Sequence, residues 1–176
     1  KIGEPISSVD IVDTENLIGR CVVSGNVRRS AALAMGRYQD KEYLQMKNDQ
    51  EKLYHHRWGS NNSFNAEVGM DYTWHAEQSQ KNGEPGYIWL NNARTHGRFK
   101  DGLKYDDVNV AGFNPCVEQQ LEDAELCCLV ETFPAKHDDY EDYLKTLKIA
   151  YLTHTVMLKN STKSILTGFV FPSRCE

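Results

Sequence analysis

Helical and extended patterns alternate along this chain, and the alternation predicts an α/β fold. Two kinds of pattern carry the prediction. Apolar residues recur at helical spacing over Val9–Val23 and again from Asp138 to Leu158. Between them, short apolar runs bounded by turn residues (Ala31–Met35, Tyr87–Leu90, Leu126–Phe133) read as strands. No internal repeat, low-complexity tract or clear linker interrupts the series. At 176 residues the chain is long enough for one domain with a sizeable core.

Taken in order, Val9–Val23 sets Ile11, Ile18 and Val22 on one stripe with Leu17 and Cys21 beside it. That face is expected to be buried, with Cys21 a small core residue. Ser24, Gly25, Asn26, Val27, Arg28, Arg29 and Ser30 then break the pattern and precede the strand Ala31–Met35. The two adjacent arginines could hold a phosphate or a base edge, or pair with nearby carboxylates on a solvated turn. Asp40–Tyr54 reads as one charged helix whose apolar positions are Tyr43, Leu44, Met46 and Leu53. His55 and His56 are neighbours in sequence, point to different faces and make a poor chelate. The polar cluster Ser60-Asn61-Asn62-Ser63 is expected to enter or leave a strand near Phe64.

Asp71–Lys81 is expected to be a helix with Asp71 as its N-cap and Asn82-Gly83 as its end. Glu84-Pro85-Gly86 reads as a turn and Tyr87–Leu90 as a buried strand. Asn91-Asn92-Ala93-Arg94 reads as the loop leaving that strand, where α/β barrels collect functional groups. Gly97–Gly112 is a polar connection, and Leu126–Phe133 a strand carrying Cys127 and stopped by Pro134. The last helix opens at Asp138 and Asp139 and shows Tyr140, Tyr143, Leu144, Leu147, Tyr151, Thr155 and Leu158 on one face. Beyond Lys159 no long period is visible.

Net charge is −5 and the isoelectric point about 5.7, which gives no electrostatic footprint for direct nucleic-acid binding or for an anionic membrane. A mean hydropathy of −0.61 and the lack of a long apolar run argue against a membrane span. The start, Lys1 to Pro5, carries neither an initiator Met nor a signal peptide and reads as the middle of something longer. Five cysteines, Cys21, Cys116, Cys127, Cys128 and Cys175, are odd in number and lack the spacing of a secreted disulfide framework. Reduced thiols in the cytoplasm are the expectation.

The richest chemistry lies in Asn114-Pro115-Cys116-Val117-Glu118, followed by Cys127. In an extended segment Asn114, Cys116 and Glu118 would line one face, about 6.5 Å apart. Pro115 cannot donate a ladder hydrogen bond, so the stretch suits an edge strand or a loop entering a cavity. An amide, a thiol and a carboxylate over that reach could all face one sugar ring. Cys116 and Cys127 fit four roles: a disulfide pair, metal ligands, core residues or catalytic thiols. The metal role would draw on Cys116, Cys127, Cys128 and His137, a set without the paired C-x-x-C hooks of structural zinc, and no metal site is assigned.

The run GFNPCVEQQLEDAELCCLVETFP (Gly112–Pro134) resembles the active-site segment of ribonucleotide reductases, most closely the adenosylcobalamin-dependent class II enzymes. GNVRRSA (Gly25–Ala31), EKLYHHRWGSNNS (Glu51–Ser63) and NGEPG (Asn82–Gly86) resemble further stretches of the same family in the same order. The resemblance implies that residues 1–158 form a central part of the family's ten-stranded α/β barrel, with the Cys116 segment as an active-site loop inserted at its centre. It leaves 159–176 as a C-terminal segment without family likeness.

By the same resemblance, Cys116 forms a transient thiyl radical that takes the substrate's 3′-hydrogen, Glu118 is the base on the 3′-hydroxyl, and Asn114 hydrogen-bonds the sugar. Cys127 is one of two redox-active thiols that supply electrons for DNA-precursor synthesis. Its partner lies on an earlier strand in the family, and Cys21 sits on the wrong element to be it. Ser24–Ser30 corresponds to the loop linking the allosteric effector site to the substrate base. Implied partners are a ribonucleotide substrate, a deoxynucleotide effector, a thioredoxin-like or dithiol reductant and the remainder of the reductase. The implied cofactor is adenosylcobalamin, held mostly by parts outside this chain. With the second redox cysteine and the barrel's other strands missing, the fragment alone should be inactive. Val117 departs from the family's common glycine. The alternative is a non-catalytic thiol or zinc-binding protein that retains the motif.

Overall fold

Ser7 starts the first helix through a reciprocal capping box: its hydroxyl accepts from the Asp10 N–H at 3.2 Å while Asp10 accepts from the Ser7 N–H at 3.1 Å. The helix, α1 (Ser8–Val23), opens a chain whose computed structural model describes residues 3–96, 102–127 and 130–165, with side chains as far as Val156. Two compact units result, Lys1–Gln120 and Leu121–Glu176.

The first unit is built on a three-stranded parallel sheet, β1 (Ala32–Gly36), β2 (Ser60–Asn65) and β3 (Gly86–Ile88), in that spatial order. Leu33 pairs with Asn61 and Met35 with Ser63, and Ser63 in turn pairs with Gly86. Parallel neighbours need crossovers. α2 (Lys41–Gln45) and α3 (Gln50–His55) lie in the first and α4 (Thr73–Asn82) in the second. The core forms around Phe64, fully buried on β2, with Tyr43, Leu44, Met46, Ala34 and Ala66. The rings of His75 and Tyr87 lie 4.7 and 4.8 Å from that of Phe64. Burial pushes the Tyr43 phenol well above its ordinary pKa, and its one hydroxyl hydrogen is shared between the carbonyls of Ala34 (2.7 Å) and Ser63 (2.9 Å). These are α/β features, as the alternation predicts.

Several local expectations are corrected. α1 buries Val9, Val12 and Asn16, while Ile11 and Ile18 of the expected stripe are 59% and 60% exposed and Cys21 is exposed too. The helix carries apolar residues on two opposite sides, and periodicity cannot say which side meets the core that is present. Asp40–Tyr54 is not one helix: Asp40 and Asp49 each accept the N–H three residues on, from Tyr43 and Lys52, both at 3.1 Å. The second cap restarts the backbone, leaving α2, a 3₁₀ turn at Met46–Asn48 and α3.

The polar cluster Ser60–Ser63 does not flank a strand; it is most of β2. Three of its four residues are buried, and Ser60 accepts from Asn16 (3.1 Å) and donates to Asn62 (2.8 Å). Asp71 accepts the Thr73 N–H at 2.9 Å from one position outside the cap, so α4 starts later than expected, though Gly83 ends it in the left-handed conformation (φ 87°). The strand expected to reach Leu90 stops at Ile88. Asn65, at the end of β2, accepts the Leu90 N–H at 3.2 Å, and the expected loop at Asn91–Arg94 is the short helix α5 (Leu90–Thr95).

An ion pair joins α1 to a 3₁₀ turn at Arg57–Gly59 before β2: Arg57 donates twice to Asp13, at 2.6 and 2.7 Å, and His56 approaches it at 3.0 Å. Partial burial pushes the Asp13 carboxyl up, but the hydrogen bonds and charge of Arg57, with His56 adding to them, outweigh it and hold the pKa below the carboxylate range. β4 (Gly112–Phe113) and β5 (Gln120–Leu121) then form a two-stranded hairpin.

In the second unit α6 runs Tyr140–Ile165, longer than expected, with Asp139 accepting the Asp142 N–H at 2.8 Å. The strand expected over Leu126–Phe133 does not form among the described residues, which exclude 128 and 129. Beyond Leu121 the described residues offer no strand to pair with, and an unpaired strand leaves its backbone groups unsatisfied. The expectations for Cys128, Cys175 and the tail beyond Ile165 fall outside the described residues. Among the described residues no helix is long and apolar enough to cross a membrane.

Candidate active site

Asn114 leaves β4 and closes the loop that follows it. Its N–H donates to the Gln119 carbonyl (3.1 Å), its side-chain carbonyl accepts the Gln119 N–H (2.9 Å), and its own carbonyl accepts the Val117 N–H (2.9 Å). The last of these makes Asn114–Val117 a β-turn with proline at its second position, where a fixed φ favours turning. The remaining Asn114 amide N–H donates to the Glu118 carboxylate. Asn114 is buried, whereas Cys116 and Glu118 are exposed. The extended geometry expected for this stretch is therefore corrected: the chain turns, and Asn114 reaches across the turn to Glu118 while Cys116 stands exposed on it.

Val117 sits at φ 66°. A β-branched residue in the left-handed region is strained by roughly 1–2 kcal/mol, and glycine is the residue that adopts it freely. Val117→Gly is accordingly expected to stabilise the closed loop by about 0.5–1 kcal/mol once glycine's own entropy cost is subtracted. Hydrogen-exchange protection of the Gln119 amide in the full-length protein should rise by roughly two- to fivefold. Unchanged or weaker protection would show that Val117 is not strained.

A further contact fixes the loop from outside. The Asn61 side-chain N–H donates to the Pro115 carbonyl at 2.8 Å. In the sequence the run Ser60–Ser63 reads as a strand boundary, and nothing in it singles out Asn61.

The stretch Ser24–Ser30 follows α1 as a separate turn. Ser24 caps the helix, its hydroxyl donating to the Cys21 carbonyl at 2.7 Å, and Asn26 takes φ 53°, which asparagine tolerates better than most residues. All seven residues are exposed, Arg28 and Arg29 included. Gly19 of α1 leaves room for the turn to fold back: a Cβ there would stand 3.1 Å from the Ser30 hydroxyl. Cys127 belongs to the second unit, partly buried and in neither helix nor strand.

Of the residues a metal role would draw on, Cys128 lies outside the described residues. His137 has both ring nitrogens engaged, one with the Phe133 carbonyl (3.0 Å) and the other with the Thr146 hydroxyl (2.8 Å). Among the described residues no three His, Cys, Asp or Glu side chains converge as metal ligands do. His55 and His56 face each other through Nδ1, 3.0 Å apart.

No family model matches the chain. Individual relatives do. It is 50% identical over 165 residues to a probable adenosylcobalamin-dependent ribonucleoside-triphosphate reductase of Dictyostelium discoideum, covering 92% of this chain and 22% of that protein. It is 49% identical over 152 residues to the adenosylcobalamin-dependent ribonucleoside-triphosphate reductase of Euglena gracilis, covering 85% and 21%, and 46% identical over 136 residues to that of Levilactobacillus brevis, covering 76% and 18%. A crystal structure of a B-12 dependent (class II) ribonucleotide reductase matches with a TM-score of 0.61 at 43% identity, over 68% of this chain and 16% of that one. The chain thus spans about a fifth of the length of the curated relatives it matches. With close to half its residues identical to these reductases and its backbone superposing on one of them, the chain belongs to the family of adenosylcobalamin-dependent ribonucleotide reductases.

Proposed function

We propose that this chain is the radical-bearing part of a reductase that converts ribonucleoside triphosphates to deoxyribonucleotides. One observation carries the reading: Asn114 closes a turn that presents Cys116 outward and holds the Glu118 carboxylate through its amide. In the proposed reaction a thiyl on Cys116 takes the hydrogen atom from the substrate's 3′-carbon. Glu118 accepts the 3′-hydroxyl proton, and the Asn114 amide orients Glu118 and the sugar. The 2′-hydroxyl leaves as water. Cys127 and a second thiol give up two electrons and two hydrogens, one to the departing water and one to the 2′-carbon, and become a disulfide, while the 3′-hydrogen returns from Cys116 and the 3′-oxygen takes its proton back from Glu118.

Adenosylcobalamin, the cofactor in the relatives' names, supplies when bound the radical equivalent that oxidises the Cys116 thiol. Cys116, exposed on its turn, fits the receiving end of that chemistry, and we assign the residues that hold the cofactor to the remainder of the reductase. We place the three consecutive parallel strands in a ten-stranded barrel with the Cys116 hairpin as its central loop. Ser24–Ser30, with two exposed guanidiniums, suits the effector-linked specificity loop, and a thioredoxin-like or dithiol reductant would restore the Cys127 pair. No observation favours the non-catalytic alternative.

The test uses the full-length protein with ribonucleoside triphosphates, adenosylcobalamin and a dithiol. Deoxynucleotide formation is expected. In Cys127→Ser, abstraction should begin but reduction should not finish, giving inactivation during turnover and release of the base. Sustained clean turnover by Cys127→Ser would remove Cys127 from the redox pair.

A further inference from the structure

We propose that Asn61 is a positioning residue for Cys116: through the Pro115 carbonyl it sets the peptide plane that aims the thiol. This rests on the reading of Cys116 as the radical carrier. Proline has no N–H, so the carbonyl is the only backbone hydrogen-bonding group Pro115 has. That carbonyl belongs to the planar peptide unit joining Pro115 to Cys116. Fixing it fixes the Cys116 N–Cα bond, about which the single rotation φ then sets the direction of the Cα–Cβ bond.

Asn61 is well placed to do this. It lies on β2, the central strand, paired with Leu33 of β1. Neighbouring Ser60 and Asn62 point to the buried side with Phe64, whereas the Asn61 side chain points to the other face. Its amide donates to the Pro115 carbonyl at 2.8 Å, across 54 residues of sequence. The hairpin meets this same sheet face a second time: a Cβ on Gly112 would stand 3.9 Å from the Met35 sulfur, and Met35 is the strand partner of Ser63. Asparagine is depleted in strands, so an exposed asparagine within a central strand calls for a side-chain reason, and the Pro115 carbonyl supplies one. The turn is then held from inside by Asn114 and from outside by Asn61.

The experiment compares Asn61→Ala, Asn61→Asp and Asn61→Gln in the full-length reductase with bound adenosylcobalamin. Alanine and aspartate remove the donor, and aspartate does so without changing shape. Both should lower kcat by roughly 10- to 100-fold, the scale of a small misplacement of a reacting group, with KM for the ribonucleotide nearly unchanged. The rate at which iodoacetamide alkylates Cys116, followed by peptide mass, should change in step. Glutamine keeps the donor on a longer arm and should recover part of kcat. Wild-type kcat and alkylation in Asn61→Ala, in a protein whose Cys116→Ser variant is inactive, would overturn the proposal. So would equal losses in all three variants accompanied by loss of folded protein, which marks a merely structural residue. An active Cys116→Ser variant would instead overturn the reading of Cys116, whatever Asn61 does.

Discussion

Cys116→Ser in the full-length reductase is expected to abolish ribonucleotide reduction, a loss on the order of 10⁴-fold or more, the scale seen when the reacting atom itself is removed. The change replaces one sulfur by one oxygen on an exposed side chain. Every hydrogen bond that closes the loop runs through other groups: the Asn114 backbone and amide, the Val117 and Gln119 N–H groups, and the Pro115 carbonyl held by Asn61. The fold and the turn should therefore survive, and so should nucleotide binding, measured at equilibrium. A serine hydroxyl resists loss of its hydrogen atom far more than a thiol does, so the chemical step alone fails. Retention of more than about a hundredth of wild-type turnover, a barrier change under roughly 3 kcal/mol, would show that the hydrogen-abstracting group is elsewhere.

The residue types of this site could be read from Asn114, Cys116 and Glu118, but not their geometry. Alternation along a strand would keep Asn114 and Glu118 apart whereas closure of a turn brings them together, and the difference rests on hydrogen bonds between Asn114 and groups three to five residues on. Val117 gave a hint, because the resemblance expects glycine at a place that proves to be left-handed. Asn61 gave none: its partner is a backbone carbonyl 54 residues away, and no local pattern encodes a contact at that separation.

The α/β class was legible because it depends on period alone. What failed were assignments that need to know the neighbours. On α1 two apolar stripes compete, and the sheet present takes the one with Val9 and Val12. β2 is polar along most of its length, so it lacks the apolar run that marks a buried strand, and Ser60 is paired there with Asn16 and Asn62. The run around Cys127 reads as a strand, yet beyond Leu121 the described residues provide no partner for it.

Gly36→Ala should be the most damaging small change in the first unit. A Cβ at Gly36 would stand 2.2 and 2.3 Å from two ring carbons of Tyr43 and 2.9 Å from a third, far inside any real contact. The ring has nowhere to go. It is 2% exposed, its hydroxyl is held by the carbonyls of Ala34 and Ser63, and its backbone N–H is held by Asp40. Either β1 shifts against β2 or Tyr43 leaves the core and its shared hydroxyl hydrogen bond breaks. Overpacking of this kind costs about 1–3 kcal/mol and occasionally more, and the lost hydrogen bond adds about 1 kcal/mol, so roughly 3 kcal/mol is expected. In the full-length protein that corresponds to about a hundredfold loss of hydrogen-exchange protection in the β1–β2 ladder. The same substitution combined with Tyr43→Leu should cost much less, because the clash goes with the ring, and the double-mutant cycle isolates that coupling. If Gly36→Ala costs as much in the Tyr43→Leu background as it does with the tyrosine in place, the close packing of glycine against the ring is not what holds β1 in place.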